Sequence, residues 1–214
     1  MHRWIFSLLL LASACSSGTN GTTLIVYSPH GKELLTEFEK RFEAENTISL
    51  SWALTELGER SEVIDLLRRG YQASRETGLA YDGAWILGML ARLSDDSVEQ
   101  TWALAEGEAL LQTGSVSHNH LHFYQIAIDV ALHRQNWTEA ERYANALTAY
   151  THAEPLPWSN FYSARGQALA AFGQGHREPA LLAELKALYQ EARRIGLHSA
   201  LPALHSALHT TLSD

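Results

Sequence analysis

The feature that most constrains the fold of this chain is a series of amphipathic helix pairs whose ends recur at regular intervals. Helical patterns stop at Gly78, at Gly114, near His152 and at Gly196, with spacings of 36, 38 and 44 residues. Such spacings are typical of helix-turn-helix repeats, in which each pair buries its apolar face against the next. We therefore predict a mainly α fold, an α-solenoid of antiparallel helix pairs over residues 61–214.

The clearest pair is "FYQIAIDVALHR", a short turn "QNW", and "TEAERYANALTAYT". In the second of these segments Thr138 is predicted as the N-cap, with Glu141 three residues later completing a capping box. One buried face of that helix is indicated by apolar residues at helical spacing, namely Ala140, Tyr143, Ala144 and Leu147. Two such segments joined by a tight turn predict antiparallel neighbours.

Two further pairs and a final helix follow the same pattern. In the last pair Pro179 suits a first helical turn, and an apolar stripe follows it: Leu181, Leu185, Leu188, Ala192 and Ile195. The earlier pair is "DGAWILGMLARL" and "SVEQTWALAEGEALLQT", whose second helix has apolar residues at helical spacing: Val98, Trp102, Ala105 and Ala109. A helix over 202–212 is predicted to cap the array.

The N-terminus has the pattern of an export signal. Residues 1–14 combine a short basic start, the apolar run "WIFSLLLLA" and small residues before Cys15. Cys15, the only cysteine, resembles the acylated cysteine of a bacterial lipoprotein, which predicts a lipid anchor on the periplasmic side. The alternative is a secreted protein with one inert thiol. Residues 15–21 then form a polar tether.

Residues 22–60 are predicted to form a β-α-β segment. Leu24–Tyr27 is a short apolar run, 32–45 has helical periodicity, and 48–52 alternates like a strand. The words "VYSPHGKELLTEFEKRFEAE" resemble the opening of bacterial extracellular solute-binding proteins of iron(III)-type ABC importers. In that family the turn after the first strand lines the ligand cleft, which implies ligand contacts from Tyr27, Ser28 and His30.

The helical part resembles a second family. The words "GLAYDGAWILGMLA" and "ARGQALAAFGQGHREPALLAEL" are similar to the C-terminal tetratricopeptide-like region of bacterial adenylate/guanylate cyclase–ATPase proteins, over about 66–210. The resemblance implies a scaffold for protein contacts without catalysis. The chain also has no G-x-x-x-x-G-K-[ST] loop for nucleotide phosphates.

Composition narrows the classes of partner. The formal net charge of −8 argues against nucleic acid, which requires a basic surface, and favours a protein partner with basic patches. A hydrophobic fraction of 46% indicates a folded chain. A single cysteine excludes internal disulfides and multi-cysteine zinc sites.

Several side chains were candidates for chemistry. His118, His120 and His122 form an H-x-H-x-H motif that could bind a metal, but the favoured interpretation is a connection in which Ser117 or Asn119 caps the next helix. The histidines of the last helix, at positions 205 and 209, are interpreted as solvated. Most aromatic residues are assigned to the core, and the expected exceptions lie at turns: Trp137 and Trp158.

The sequence therefore predicts an exported, lipid-anchored, non-catalytic scaffold that binds a protein or peptide in the concave groove of a helical array, with no cofactor or metal. The alternative is a periplasmic solute-binding protein for iron or an anion. A further alternative is a chimera, because the two resemblances change over between residues 55 and 70 without a linker.

Overall fold

The computed structural model describes residues 46–51, 54–55, 57–78 and 80–210. The predicted signal segment, tether, first strand and helix over 32–45 lie outside the described residues, and so does Cys15. Within the described part the chain is mainly helical and contains no strand.

The helices follow one another with short connections. Their bounds are α1 Arg60–Thr77, α2 Gly83–Leu93, α3 Ser97–Gln112, α4 Ser117–His133, α5 Trp137–Thr151, α6 Pro157–Gly173, α7 Pro179–Ile195 and α8 Leu201–Thr210, with a 3₁₀ turn at His198–Ala200 before α8. The predicted stops at Gly78, near His152 and at Gly196 are confirmed, and the helix predicted to stop at Gly114 ends slightly earlier, at Gln112. Gly196 adopts a left-handed conformation with φ of 78°, which suits a glycine at a helix C-terminus.

The strand predicted over 48–52 is wrong for its described part, because residues 46–51 are helical. Thr47, Ile48 and Ser51 are all buried, and the Ser51 hydroxyl donates to the Thr47 carbonyl at 2.6 Å. Gly70 of α1 lets Thr47 approach closely, since a Cβ there would overlap the threonine side chain. An alternation of five residues is too short to separate a strand from one buried helical turn.

The helices form two layers with different spacing. α2, α4, α6 and α8 pack in sequence against one another, and we call them the A-layer. The other four, α1, α3, α5 and α7, form the B-layer and have no mutual backbone contact. Because the A-layer helices are closer together than the B-layer helices, the array bends with the A-layer on its inner side.

Side-chain hydrogen bonds also join elements that lie one helix pair apart in the chain. Arg68 of α1 binds Glu99 of α3, 31 positions away. Arg142 of α5 binds Glu108 of α3 across 34 positions, and Asn119 of α4 binds the Ala80 carbonyl across 39. These contacts join elements that are not adjacent in the chain, and the predicted mainly α fold of packed helices is confirmed for the described residues.

The core lies between the layers, where glycine allows close approach. Phe123 of α4 is fully buried, and a Cβ at Gly107 of α3 would overlap its ring. Within the A-layer, Gly166 of α6 approaches Ile128 of α4 similarly, since an added Cβ would lie 2.8 Å from that side chain. Glycine inside a helix is disfavoured intrinsically, so these two positions are explained by packing.

The predicted capping box at Thr138 is wrong. α5 begins at Trp137, and Asn136 is its N-cap, accepting a hydrogen bond from the Glu139 amide at 3.3 Å. Asparagine is as good an N-cap as threonine. Gln135, with φ of 55°, ends the preceding turn in the left-handed region and starts the helix two residues earlier. The predicted buried face is confirmed: Ala140, Tyr143, Ala144 and Leu147.

The second helix of the earlier pair turns its predicted apolar stripe outward. Val98 is 74% exposed and Trp102 is 44% exposed, and Ala105 and Ala109 are also exposed. The core side of α3 is formed by different residues: Ala103, Leu104, Gly107 and Leu111. Helix α3 is therefore apolar on two opposite sides.

Candidate binding surface on the inner helix layer

Aromatic and histidine side chains meet at one end of the A-layer, where α2, α4 and α6 begin. The three helices run in the same direction, because each is separated from the next by one antiparallel B-layer helix. Their first turns bring together a set that we call the aromatic–histidine cluster: Tyr81, Trp85, His118, His122, Trp158 and Tyr162. The members come from three helices that are far apart in sequence.

His122 lies at the centre of the cluster. Its ring stacks on the Trp85 indole with centroids 4.0 Å apart and an interplanar angle of 8°. Trp158 meets His122 edge-on at 5.6 Å, and Tyr162 lies 4.7 Å beyond Trp158. Ring contacts of this kind contribute about 0.5–1.5 kcal/mol each beyond the area that they bury. The cluster therefore links α2, α4 and α6 through side chains.

His118 forms the outer edge of the cluster. Its Nε2 lies 3.3 Å from Oδ1 of Asp82, a residue that is 7% exposed. Tyr81, which is 59% exposed, meets the same imidazole edge-on at 5.1 Å. This edge combines an exposed aromatic face with a carboxylate-bound imidazole, which suits contact with a polar partner.

Asn119 fixes the start of α2 against the start of α4. Its Oδ1 accepts from the Trp85 amide at 3.1 Å, and its Nδ2 donates to the carbonyls of Ala80 and Tyr81. The side chain is fully buried. The prediction that Asn119 or Ser117 caps its own helix is wrong, since α4 has Val116 at its N-cap and Asn119 caps α2 instead.

A buried polar group continues the same face toward α8. Arg165 of α6 is 3% exposed, and its Nη1 donates to Oδ1 of Asp129 on α4 at 2.6 Å. Gln125 donates to the other oxygen of Asp129 at 2.8 Å, and Arg165 Nε reaches the Ala200 carbonyl at 3.3 Å. These bonds hold α4, α6 and the turn before α8 together, so Gln125, Asp129 and Arg165 have a structural role in fixing the relative positions of these elements.

Sequence reasoning missed Gln125, Asp129 and Arg165. The available signal was spacing, because Gln125 and Asp129 continue the helical stripe that starts at His118 and His122. Arg165 lies seven residues after Trp158 and therefore on the same side of α6. No residue type in this set indicated a partner on another helix, which the packing of α4 on α6 supplies.

The three histidines of the H-x-H-x-H motif do not converge. His120 points to the opposite side of α4 from the cluster and stacks on Tyr150 of α5 at 4.0 Å. Burial lowers the pKa of His120, against a smaller opposing contribution from the Ser115 backbone. Burial also lowers the pKa of His122, and the nearby His118 lowers it further. The described residues hold no group of three side chains that could ligate a metal.

The other candidates have separate positions. Trp137 is half-buried and packs on α6, where an added Cβ at Gly173 would lie 2.6 Å from its indole, so it belongs to the packing. Trp158 belongs to the cluster. The histidines of α8, His205 and His209, are exposed as predicted. The proposed ligand contacts of the N-terminal segment lie outside the described residues: Tyr27, Ser28 and His30.

A surface cleft of about 700 Å³ lies at the other end of the described chain. Its apolar walls are Leu50, Leu54 and Leu66, and its charged rim includes Arg68 and Arg69. It borders residues that the structure does not describe, and no aromatic side chain lines it. The cluster therefore remains the better candidate.

No known family model, curated protein or solved structure matches this chain. The helices of the described residues include none with the length and apolarity that a membrane span requires.

Proposed function

We propose that the chain is a non-catalytic, tetratricopeptide-like scaffold that binds an extended protein or peptide segment across its A-layer. The observation that carries the proposal is the aromatic–histidine cluster, in which rings that include the half-buried Trp85, His122 and Trp158 come from three helices and share one surface. Aromatic side chains are enriched where proteins bind each other, because they bury large area at low entropic cost. The mainly α fold of packed helices supports the same assignment.

The geometry favours a partner that lies across the three helix starts. Trp85 and Trp158 flank the imidazole of His122, so a segment crossing α2, α4 and α6 would contact them in turn. Tyr81, which is 59% exposed, extends the surface at the side of α2. The acidic balance of the chain favours a segment with basic residues beside its apolar anchors.

Selection of a displayed random-peptide library on the full chain tests this function. We expect enriched peptides whose affinity, measured by fluorescence polarisation, falls about tenfold or more in His122→Ala and in Trp158→Ala, since truncating an interface anchor has effects of this size. Tyr150→Ala is the matched control, because Tyr150 stacks on His120 outside the cluster. Absence of enriched peptides, or equal loss in the control, would contradict the proposal.

The same protein allows the competing receptor function to be tested. A ligand that binds the native state raises the melting temperature. We expect no shift with iron(III) or phosphate, whereas a concentration-dependent shift would favour the solute-binding alternative. The proposed lipid anchor rests on Cys15, and incorporation of a labelled fatty acid that is lost in Cys15→Ser would support it.

A further inference from the structure

Two imidazole side chains meet on α8, the last helix of the A-layer. His205 and His209 lie about one turn apart on this helix, and their ring centroids are 4.0 Å apart with an interplanar angle of 51°. Both residues are exposed, whereas Leu204 beside them is fully buried, so the pair lies on the outward side of α8. Because the aromatic–histidine cluster is formed by α2, α4 and α6, this pair is separate from it.

The spacing of the pair is one that allows two histidines of a helix to bind the same metal ion. Side chains at positions i and i+4 project from one face of a helix, and zinc-binding helices use two histidines at this spacing. A bond from zinc to an imidazole nitrogen is ~2.0–2.1 Å long. Since the two rings already contact each other, rotation of the side chains lets one ion bind a nitrogen of each ring without a change in the backbone.

A second histidine pair with this spacing, on α4, has a different environment. His118 binds the carboxylate of Asp82, and His122 stacks on the Trp85 indole, so both rings are held by partners within the cluster. The pair on α8 is instead exposed to solvent, from which an ion can reach both imidazoles. Equal spacing in the sequence therefore leads to different roles for the two pairs.

The electrostatic surroundings of the α8 pair suit a cation. Residues 201–210 include no lysine or arginine, so no cationic side chain of this helix repels a metal ion. His209 lies in the last turn of α8, where the helix dipole and the terminal carbonyl groups favour positive charge. The net charge of −8 on the whole chain acts in the same direction.

We propose that His205 and His209 form a two-imidazole chelate for a divalent transition metal of the copper, nickel and zinc class, with water completing the coordination. Imidazole suits these metals, whereas magnesium and calcium prefer oxygen ligands. Since the described residues contain no group of three ligands, the ion is held by two protein bonds and remains exchangeable. The ion joins two turns of α8 and thereby stabilises the end of this helix.

Calorimetric titration of the full chain, expressed without a histidine tag, tests the site. We expect saturable binding of copper(II), nickel(II) and zinc(II), tightest for copper(II), and no binding of calcium. His205→Gln and His209→Gln should each weaken nickel(II) binding roughly tenfold or more, because either substitution removes the chelate. His152→Gln, at an exposed histidine outside α8, is the control and should bind like the wild type.

A variant with changed spacing separates the chelate from the number of histidines. The double substitution His209→Ala/Thr210→His keeps that number but moves the second imidazole to i+5, so it should bind as weakly as His209→Gln. Nickel(II) should raise the melting temperature of the wild type with increasing concentration, and this shift should be lost in the double variant. Absence of saturable binding, or equal affinity in the wild type and the double variant, would overturn the proposal.

Discussion

The two helix layers are built from the same kinds of side chain, but they are held together in different ways. In the A-layer, α4 contacts its neighbours through buried groups such as Phe123, and the arginine of its ion pair with α6, Arg165, is only 3% exposed. In the B-layer, like helices are joined by long side chains over a gap, and Arg142 of the bridge to Glu108 is 42% exposed. Burial therefore fixes the inner layer, while solvent-screened charges span the outer one.

This difference explains why the two surfaces differ in their capacity for binding. Close packing at the A-layer gathers rings from α2, α4 and α6 into one patch around His122. The wider B-layer leaves α3 with an uncovered side, so Val98 and Trp102 remain exposed. The binding surface of the A-layer is therefore formed by side chains from three helices, whereas the exposed apolar surface of the B-layer is formed by side chains of α3 alone.

The largest effect that distinguishes the layers is expected at Phe123. Phe123→Ala should lower the free energy of unfolding by about 3–5 kcal/mol, because it leaves a cavity in the fully buried centre of the A-layer. Urea unfolding followed by circular dichroism measures the change. Gly107→Ala should itself cost about 1–3 kcal/mol by overpacking against the ring, and little in the Phe123→Ala background. Additive losses in the double variant would refute the proposed contact.

Asn119 gives the next largest effect. Asn119→Ala should lower stability by about 2–3 kcal/mol, because the buried Trp85 amide and the Tyr81 carbonyl lose their partner. Asn145→Ala is the control, since Asn145 is exposed and bonds only Gln167 through its side chain in the described residues. Equal unfolding midpoints for the two variants would show that α2 does not depend on Asn119.

Much of the helical fold could be predicted from the sequence, because the residue types at helix ends stop a helix through local backbone preferences. Gly78 and Gly196 stop helices by their backbone freedom, and a sequence signal marks both. The orientation of α3 could not be predicted, since an apolar residue every three or four positions occurs on both of its sides. The choice between Leu104 and Trp102 as the buried residue depends on the position of α4 and α1, which no local pattern encodes.

The candidate surface was only partly predictable for the same reason. The H-x-H-x-H motif and Trp158 were recognisable as unusual, but their contacts join α2, α4 and α6 across more than 30 positions. The Asn119 cap illustrates the limit: its residue type predicted a helix cap, and the packing decided which helix it caps. The strand prediction for residues 48–51 was wrong because so short an alternation of apolar and polar residues fits a strand and a buried helical turn equally well.

A smaller change in stability is expected when the pH is lowered, and it comes from two histidines that lie on opposite sides of α4. Burial lowers the pKa of His120 and of His122, so the unfolded chain binds protons at higher pH than the folded chain does. Stability from this source is complete above the ordinary histidine pKa of about 6.5 and is lost as the pH falls below it. The urea unfolding midpoint of the wild type should fall as the pH is lowered from 7.5 to 5.5, a window of roughly one unit to either side of that pKa. The midpoint of His122→Gln should change less over the same window. His152→Gln, at an exposed histidine, is measured in parallel as the control.

The carboxyl of Glu99 supplies a second, separate pH window in the B-layer. Its pKa is lowered from 4.5, chiefly by the hydrogen bond from Arg68, so its contribution is present above that value and is lost as the pH falls through the lowered pKa. Loss that begins only near pH 4.5 would show that the carboxylate alone titrates. A slope that is unchanged in His122→Gln would contradict the burial of that imidazole.

The smallest effect is expected for the outer ion pair, and it completes the contrast between the layers. Arg142 donates to Glu108 at 2.6 Å and to Glu139 at 2.8 Å, yet its side chain is 42% exposed. Solvent screens such a pair, so Arg142→Ala should lower the free energy of unfolding by no more than about 1 kcal/mol, and by less at high salt. Urea unfolding at low and high sodium chloride measures both. A salt-independent loss as large as that of Asn119→Ala would mean that the outer layer, too, is held by buried contacts, and the distinction between the layers would fail.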